Sequence, residues 1–254
     1  MKFKECKGVI FPEYETKFQR HLTDKGEYQK FQIDIAMMLD ISGKNCAIDI
    51  GAHVGLISGY LGQKYKTILA FEPSSTNRMC FSQNTKNRGN IVLFPYALGT
   101  EKKMGSLLIH PDNSGGNSLE PKYCENVKSS ETVEVRTLDS LIGSNKNFGN
   151  IDLIKIDVQG SETAVLKGSI ETIKAHKPLI IYEAETKAVG TDDEKRKDTL
   201  EALGYTMAAN ILKERIFIHR TKIDKNALIA AQAKLEKAKN AVREKRNKQA
   251  QSKH

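Results

Sequence analysis

Cys46-Ala47-Ile48-Asp49-Ile50-Gly51-Ala52-His53-Val54-Gly55 is a short apolar run that passes into two glycines and then into Leu56–Leu61, the opening of a helix. A second apolar run, Thr67 to Phe71, follows and ends on the carboxylate of Glu72, with Pro73 behind it. The pair describes half of a nucleotide-binding α/β unit. Glycines after the first strand let the backbone approach a ligand, and an acid at the tip of the second accepts hydrogen bonds from ribose hydroxyls. The spacing is Asp-x-Gly-x-x-x-Gly, not the G-x-G-x-x-G that seats a pyrophosphate on a helix N-terminus. Position 53 is His rather than Gly, and Asp49 stands ahead of the glycines, where it repels phosphate and suits an ammonium group. A nucleoside with an amino-acid end and no phosphate is S-adenosylmethionine.

The chain has 254 residues, enough for one sizeable core with a small appendage. No apolar run approaches the roughly 20 residues that span a bilayer. Met1 to Lys7 has no apolar stretch behind it, so no signal peptide is expected. Cys6, Cys46, Cys80 and Cys124 lie far apart without a C-x-x-C pair, which reads as reduced thiols in a cytoplasmic protein. The net charge of +9 is unevenly placed: Thr221 to His254 holds ten Lys/Arg against three Asp/Glu, so +7 belongs to the tail and +2 to the rest. A nearly neutral body argues against a nucleic-acid groove built on it.

Three segments follow. Residues 1–43 are an N-terminal segment, with helical periodicity from Gly26 to Leu39. Residues 44–220 alternate strands and helices: strands at 47–50, 67–71, 91–95, 151–156 and 178–182, with helices at 56–61, 74–86, 162–174 and 192–203 between them. That rhythm is the mark of a parallel sheet with right-handed crossovers. Extra strands at 103–110 and 131–136 flank a Gly-rich loop, a short helix is placed at 137–141, and 206–209 with 211–219 read as a closing hairpin that gives the sheet an antiparallel edge. Residues 221–254 are Ala-, Lys- and Gln-rich and favour helix. Leu228, Ala231, Leu235, Ala238 and Val242 form an apolar seam of about two heptads, short of what specifies a coiled coil.

In an open α/β sheet, ligands bind at the carboxyl ends of the strands. Those ends carry Asp49, Gly51 and Gly55; Glu72; Tyr96 and Ala97; and the run Lys155-Ile156-Asp157-Val158-Gln159-Gly160-Ser161-Glu162. Taken in order with Val135 to Asp139, Val165 to Gly168 and Pro178 to Glu183, these motifs resemble those of the FkbM-type S-adenosylmethionine-dependent methyltransferases from about Asn45 to Glu183. The resemblance implies a Rossmann-like seven-stranded methyltransferase sheet and transfer of a methyl group, usually to a hydroxyl of a sugar or other small metabolite. It places Asp49, Gly51, Ala52 and Gly55 beside the methionine part of the cofactor, Glu72 on the ribose diol, and Tyr96 and Ala97 near adenine, with His53 against the cofactor as well. It sets Asp157 at the mouth near the sulfonium and the acceptor. His53 stands where the family commonly has Asn, and Gln159 where Glu is usual.

Methyl transfer to an alcohol needs an in-line acceptor and a group to take its proton. Asp157 is the first candidate, with Glu183 and His53 behind it. Each has a plainer reading: Asp157 as a helix cap, Glu183 as a partner of Lys187, His53 as a ring packed on the cofactor. Glu162 fits a first-turn carboxylate as well as a catalytic one, and His110 reads as a solvated turn residue. No spacing describes a metal site. The acceptor pocket of this fold is built from Met1 to Lys44, Ser106 to Ser130 and Glu183 to Thr191. Two alternatives stand beside the small-molecule enzyme: a nucleic-acid methyltransferase anchored by the tail, and a binding module that keeps the fold while its tail seam serves as an oligomerisation or partner helix.

Overall fold

The computed structural model describes residues 2–25, 28–124, 126–143, 148–184 and 191–251. Its centre is a sheet of seven strands: β3 (Cys46–Ile50), β4 (Thr67–Phe71), β5 (Ile91–Phe94), β9 (Ile151–Ile156), β10 (Leu179–Glu183), β11 (Tyr205–Ile211) and β12 (Glu214–His219). Their spatial order is β11-β12-β10-β9-β3-β4-β5. Pairing is parallel from β5 through β10. β12 runs antiparallel to both neighbours, so the closing hairpin lies at the sheet's edge as expected and β11 is the edge strand itself. The hairpin turns at Leu212-Lys213; Ile211 therefore ends β11 and does not open the next strand.

Alternation along the strands builds two cores from one sheet, because successive side chains point to opposite faces. Ile48, Ile50, Leu69, Phe71, Ile154, Ile156, Ile180 and Tyr182 face one way. They meet Leu138 and Ile142 of α5 (Leu138–Gly143), Val165 and Leu166 of α6 (Glu162–Lys167), Ile173 of α7 (Ile170–His176) and Leu200 of α8 (Thr191–Ala202). Ala47, Ile68, Leu153, Ile181, Ile216 and Ile218 face the other. They meet α2 (Lys30–Leu39), α3 (Leu56–Leu61) and Ala231 of α9 (Lys225–Gln251). The result is helices on both sides of a mostly parallel sheet. The reading of 162–174 as one helix is corrected: it breaks at Gly168, where a Cβ would stand 2.0 Å from the carbonyl oxygen of Gly99.

Two smaller sheets flank the core. β6 (Ala97–Leu98), β8 (Ser129–Arg136) and β7 (Lys103–Ile109) form a three-stranded sheet in that order, with Ala97, Leu107, Val133 and Val135 packed inside it. β1 (Phe3–Cys6) and β2 (Val9–Pro12) form an antiparallel hairpin that docks on α4 (Ser75–Asn84). The Asn84 side-chain amide donates to the carbonyls of Ile10 and Val54 and accepts from Ile10 N–H at 2.8 Å. A further helix, α1 (Lys17–Lys25), lay outside the periodicity reading and brings Phe18 and Leu22 against Phe11 and Val54. The N-terminal segment is thus seated beside the glycine loop. The first part of the tail is docked too, with Leu228, Ala231 and Leu235 packed beside α2 and Lys234 3.6 Å from Asp34. No helix among the described residues is long and apolar enough to cross a membrane.

Candidate active site

The tips of β3, β4, β9 and β10 converge on two adjoining clefts. The first is lined by Ile50, Phe71, Tyr96, Ala97, Leu98 and Leu119, with Glu72 on its wall. The second is more polar and is lined by Phe18, Tyr28, Asn113, Lys155, Glu183 and Lys213. Gly51, His53, Gly115, Asp157 and Gln159 border both.

Gly51 has φ +82°, and a Cβ there would stand 1.8 Å from the carbonyl oxygen of Asp157. Only glycine lets β3 and the end of β9 approach this closely. Gly55, at φ +89°, precedes α3; a Cβ on it would press on Phe81 at 2.9 Å, and it lines neither cleft. Ala52 reaches only the second cleft. Between these glycines His53 holds φ +51°, a left-handed backbone that costs a non-glycine residue energy and collects at functional sites.

Asp49 is fully buried on β3. Its Oδ2 accepts from Ser58 Oγ at 2.6 Å, while Oδ1 is buried without a hydrogen-bond partner. Burial pushes its carboxyl upward, against the pull of Lys155. A lone buried acceptor of this kind fits an ammonium group, because it is costly until a donor reaches it. Glu72 accepts from the backbone N–H of His53 at 2.8 Å, from Ser74 N–H at 3.0 Å and from Asn77 Nδ2 at 3.3 Å. Burial raises it to about 7 in spite of those donors. Its Oε2, which receives only His53 N–H, keeps acceptor capacity for a hydroxyl. Tyr96 and Ala97 stand on the apolar wall, with the Arg136 guanidinium 4.8 Å over the Tyr96 ring. A hydroxyl-accepting acid beside an apolar slot fits the ribose and adenine parts of S-adenosylmethionine, whereas Asp49 lines neither cleft.

At the second cleft lies a charged cluster that strand periodicity does not reveal. Lys155 is buried on β9, and its Nζ lies 3.2 Å from Asp157 Oδ2. Burial alone would lower its pKa, but Asp157, Asp49 and Glu214 carry it above the usual lysine range. Gln29 reaches in from the start of α2 and donates to Asp157 Oδ2 at 3.3 Å and Glu214 Oε1 at 2.9 Å. Gln159 Nε2 bridges Asp157 Oδ1 at 2.9 Å and Glu183 Oε2 at 3.1 Å. Burial works against the Asp157 carboxylate, yet Lys155, then Glu183 and Gln159, hold it below the ordinary range. Glu183 is pushed the other way by burial and then by the charge of Asp157. Its Oε1 pairs with Lys213 Nζ at 3.1 Å, whereas Lys187, the partner expected from sequence, lies outside the described residues.

Glu162 resolves to a structural role. Its Oε1 accepts from the N–H groups of Val158 and Gly160, and Oε2 faces Arg196 at 3.4 Å, so it fixes the loop that carries Asp157 and Gln159. His110 sits 3.0 Å from Asp112 and 3.5 Å from Lys17, so it is part of a packed turn and not a solvated one. No group of three or more His, Cys, Asp or Glu side chains suited to a metal ion occurs among the described residues.

The methyltransferase FkbM domain model matches residues 49–207, more than half of the chain. Methyltransferase 1 of Beauveria bassiana (strain ARSEF 2860) is 29% identical, over 48% of this chain and 57% of that protein. Methyltransferase sdnD of Sordaria araneosa is 30% identical, over 48% of this chain and 59% of that protein. The chain therefore spans less than two thirds of the length of these relatives. Among solved structures, an FkbM methyltransferase from Methylobacillus flagellatus KT is similar with TM-score 0.48 and 18% identity, over 69% of this chain and 43% of that one. The order of motifs from Asp49 onward, the seven-stranded sheet and the family match agree: the chain belongs to the FkbM methyltransferase family, whose methyl donor is S-adenosylmethionine.

Proposed function

We propose that this chain methylates a hydroxyl oxygen of a sugar or other polyhydroxylated small molecule. The observation that carries the reading is the pair of clefts meeting at Gly51, His53, Asp157 and Gln159, one apolar with an acid on its wall and the other lined by hydrogen-bonding groups. When bound in the first cleft, S-adenosylmethionine supplies a methyl group on a positively charged sulfur. Glu72, Tyr96 and Ala97 hold the donor, and Asp157 adds a negative charge beside the sulfonium. The second cleft takes the acceptor. Tyr28 and Phe18 give it an aromatic floor, while Asn113, Gln159, Glu183 and Lys213 offer both donors and acceptors, the mixture that recognises several hydroxyls at once.

Asp157 anchors rather than removes the proton. Its oxygens are already engaged by Lys155, Gln29 and Gln159. Glu183, pushed upward by burial and by the charge of Asp157, presents lone pairs to the acceptor. The first test is calorimetric titration with S-adenosylmethionine, using nicotinamide dinucleotides as controls. A screen of monosaccharides and polyols with methyl-labelled donor follows. Binding of the methyl donor alone and label on a hydroxyl is the expected result; a folded chain that binds no donor overturns the reading.

A further inference from the structure

The imidazole of His53 is held from three directions. Phe18 meets it edge-on, with ring centroids 5.1 Å apart, and Phe11 lies 6.4 Å away. Its Nε2 is 2.6 Å from Ser114 Oγ, and that hydroxyl donates to Glu15 Oε2 at 2.6 Å. Glu15 and Ser114 are almost completely buried, at 0% and 1% exposure. Glu15 Oε1 also accepts from Phe18 N–H at 2.7 Å, and the backbone N–H of Ser114 donates to Oε2. A serine hydroxyl has one hydrogen. Because it is spent on Glu15, Nε2 must donate to Ser114, and the proton of the neutral ring lies on Nε2. The lone pair is then on Nδ1, which receives no hydrogen bond among the described residues. Gly115 lies across that edge, where even an added Cβ would stand 3.7 Å from Nδ1, and both residues border the two clefts.

We propose that His53 Nδ1 takes the proton of the acceptor hydroxyl during methyl transfer, with Ser114 and Glu15 as positioning residues that fix its tautomer and aim. This rests on the O-methylation reading above. In the step, the acceptor oxygen bonds to the methyl carbon as the carbon–sulfur bond breaks and its electron pair stays on sulfur. The hydroxyl proton moves to Nδ1. The positive charge that leaves the sulfonium reappears on the imidazolium, so the total charge in the pocket is unchanged. Asp157 faces the nascent imidazolium favourably and Lys155 opposes it. Burial holds the ring pKa down to about 4, so His53 is neutral and able to accept at any ordinary working pH. The chain Glu15–Ser114–His53 joins the N-terminal segment, the loop after β7 and the glycine loop, and the backbone N–H groups of Thr16 and Lys17 bonded to Asp112 O close the same seam.

The test has two arms on the full chain. In the first, long-range proton–nitrogen correlation on the histidine rings is recorded with and without S-adenosylmethionine. The expected pattern for His53 is a protonated Nε2 and a bare Nδ1, kept in Ser114→Thr and lost to a mixture of tautomers in Ser114→Ala. A protonated Nδ1, or a pattern indifferent to Ser114→Ala, overturns the proposal. In the second, methyl transfer to the hydroxyl panel is compared across variants matched for donor affinity. His53→Asn, which keeps the left-handed backbone, is expected to lower kcat by about 100-fold or more. Ser114→Ala and Glu15→Gln should lower it by about tenfold, the worth of one lost hydrogen bond, with KM unchanged. Transfer that survives His53→Asn overturns the role of His53 alone. Absence of transfer by the unaltered chain overturns the O-methylation reading and this proposal with it.

Discussion

At the scale of single residues, the electrostatics of the clefts give two pH tests, one expected to show a rise with pH and the other none. Glu72, raised to about 7 by burial, offers both oxygens and a full charge to the ribose hydroxyls only while ionised. Donor affinity should therefore fall as pH drops through about 7. Glu72→Gln should weaken it by roughly 10- to 100-fold, the span of a hydrogen bond to a charged group, in a calorimetric titration. Glu183 sets the second test. If Glu183 removed the acceptor proton, the methyl-transfer rate would climb through the alkaline side of neutrality as it ionised; with Glu183 in recognition and a neutral imidazole taking the proton, the profile should show no such climb. Glu72 is legible in the sequence because it ends an apolar run, where strand geometry puts it at the ligand edge; Asp49 is legible only through its spacing to Gly51 and Gly55, since it lies inside β3 and borders neither cleft. Lys155 and Glu15 are not. Lys155 sits inside Ile154-Lys155-Ile156, and only Asp157, Asp49 and Glu214 around it explain a lysine buried to 2%. Glu15 belongs to no local pattern, because its partner Ser114 lies 99 positions away.

At the scale of elements, the glycine loop serves the sheet before it serves a ligand. Gly51→Ala places a Cβ 1.8 Å from the Asp157 carbonyl and on a left-handed backbone. It should cost about 3 kcal/mol in a denaturant melt and perturb both clefts at once. The core strands were legible because β3, β9 and β10 are short, mostly apolar runs, near the pattern of strands covered on both faces. α1 was not, since Phe18 and Leu22 are its main apolar anchors in an otherwise polar stretch and need Phe11 and Val54 to make sense. The tail helix divides by the same logic. Its seam is covered at Leu228, Ala231 and Leu235 by α2 of the same chain. Removing residues 224–254 should expose part of that core and lower stability by about 2–5 kcal/mol, the scale of one large-to-small core change. Ending the chain at Asn240 should leave the melt nearly unchanged.

For the molecule as a whole, charge is partitioned as the sequence implied, with +7 in residues 221–254 and a nearly neutral remainder. What the total conceals is the interior, where Asp49, Asp157 and Glu214 surround the buried Lys155, with Glu183 and Glu72 on the walls of the two clefts. Three of them, Glu72, Glu183 and Glu214, are raised toward or beyond neutrality by burial. Such groups hold protons until a cation arrives to compensate the charge they would otherwise carry in a poor dielectric. Occupancy by a sulfonium should drive them to ionise, so that the chain exhales protons into the buffer as it loads and inhales them when the neutral thioether remains. The apparent heat of donor binding should then change with the ionisation heat of the buffer, while the sulfide product shows a smaller dependence. A site built this way spends its grip on the reactant's charge and relaxes it once that charge has moved, which turns methyl transfer itself into the signal for release.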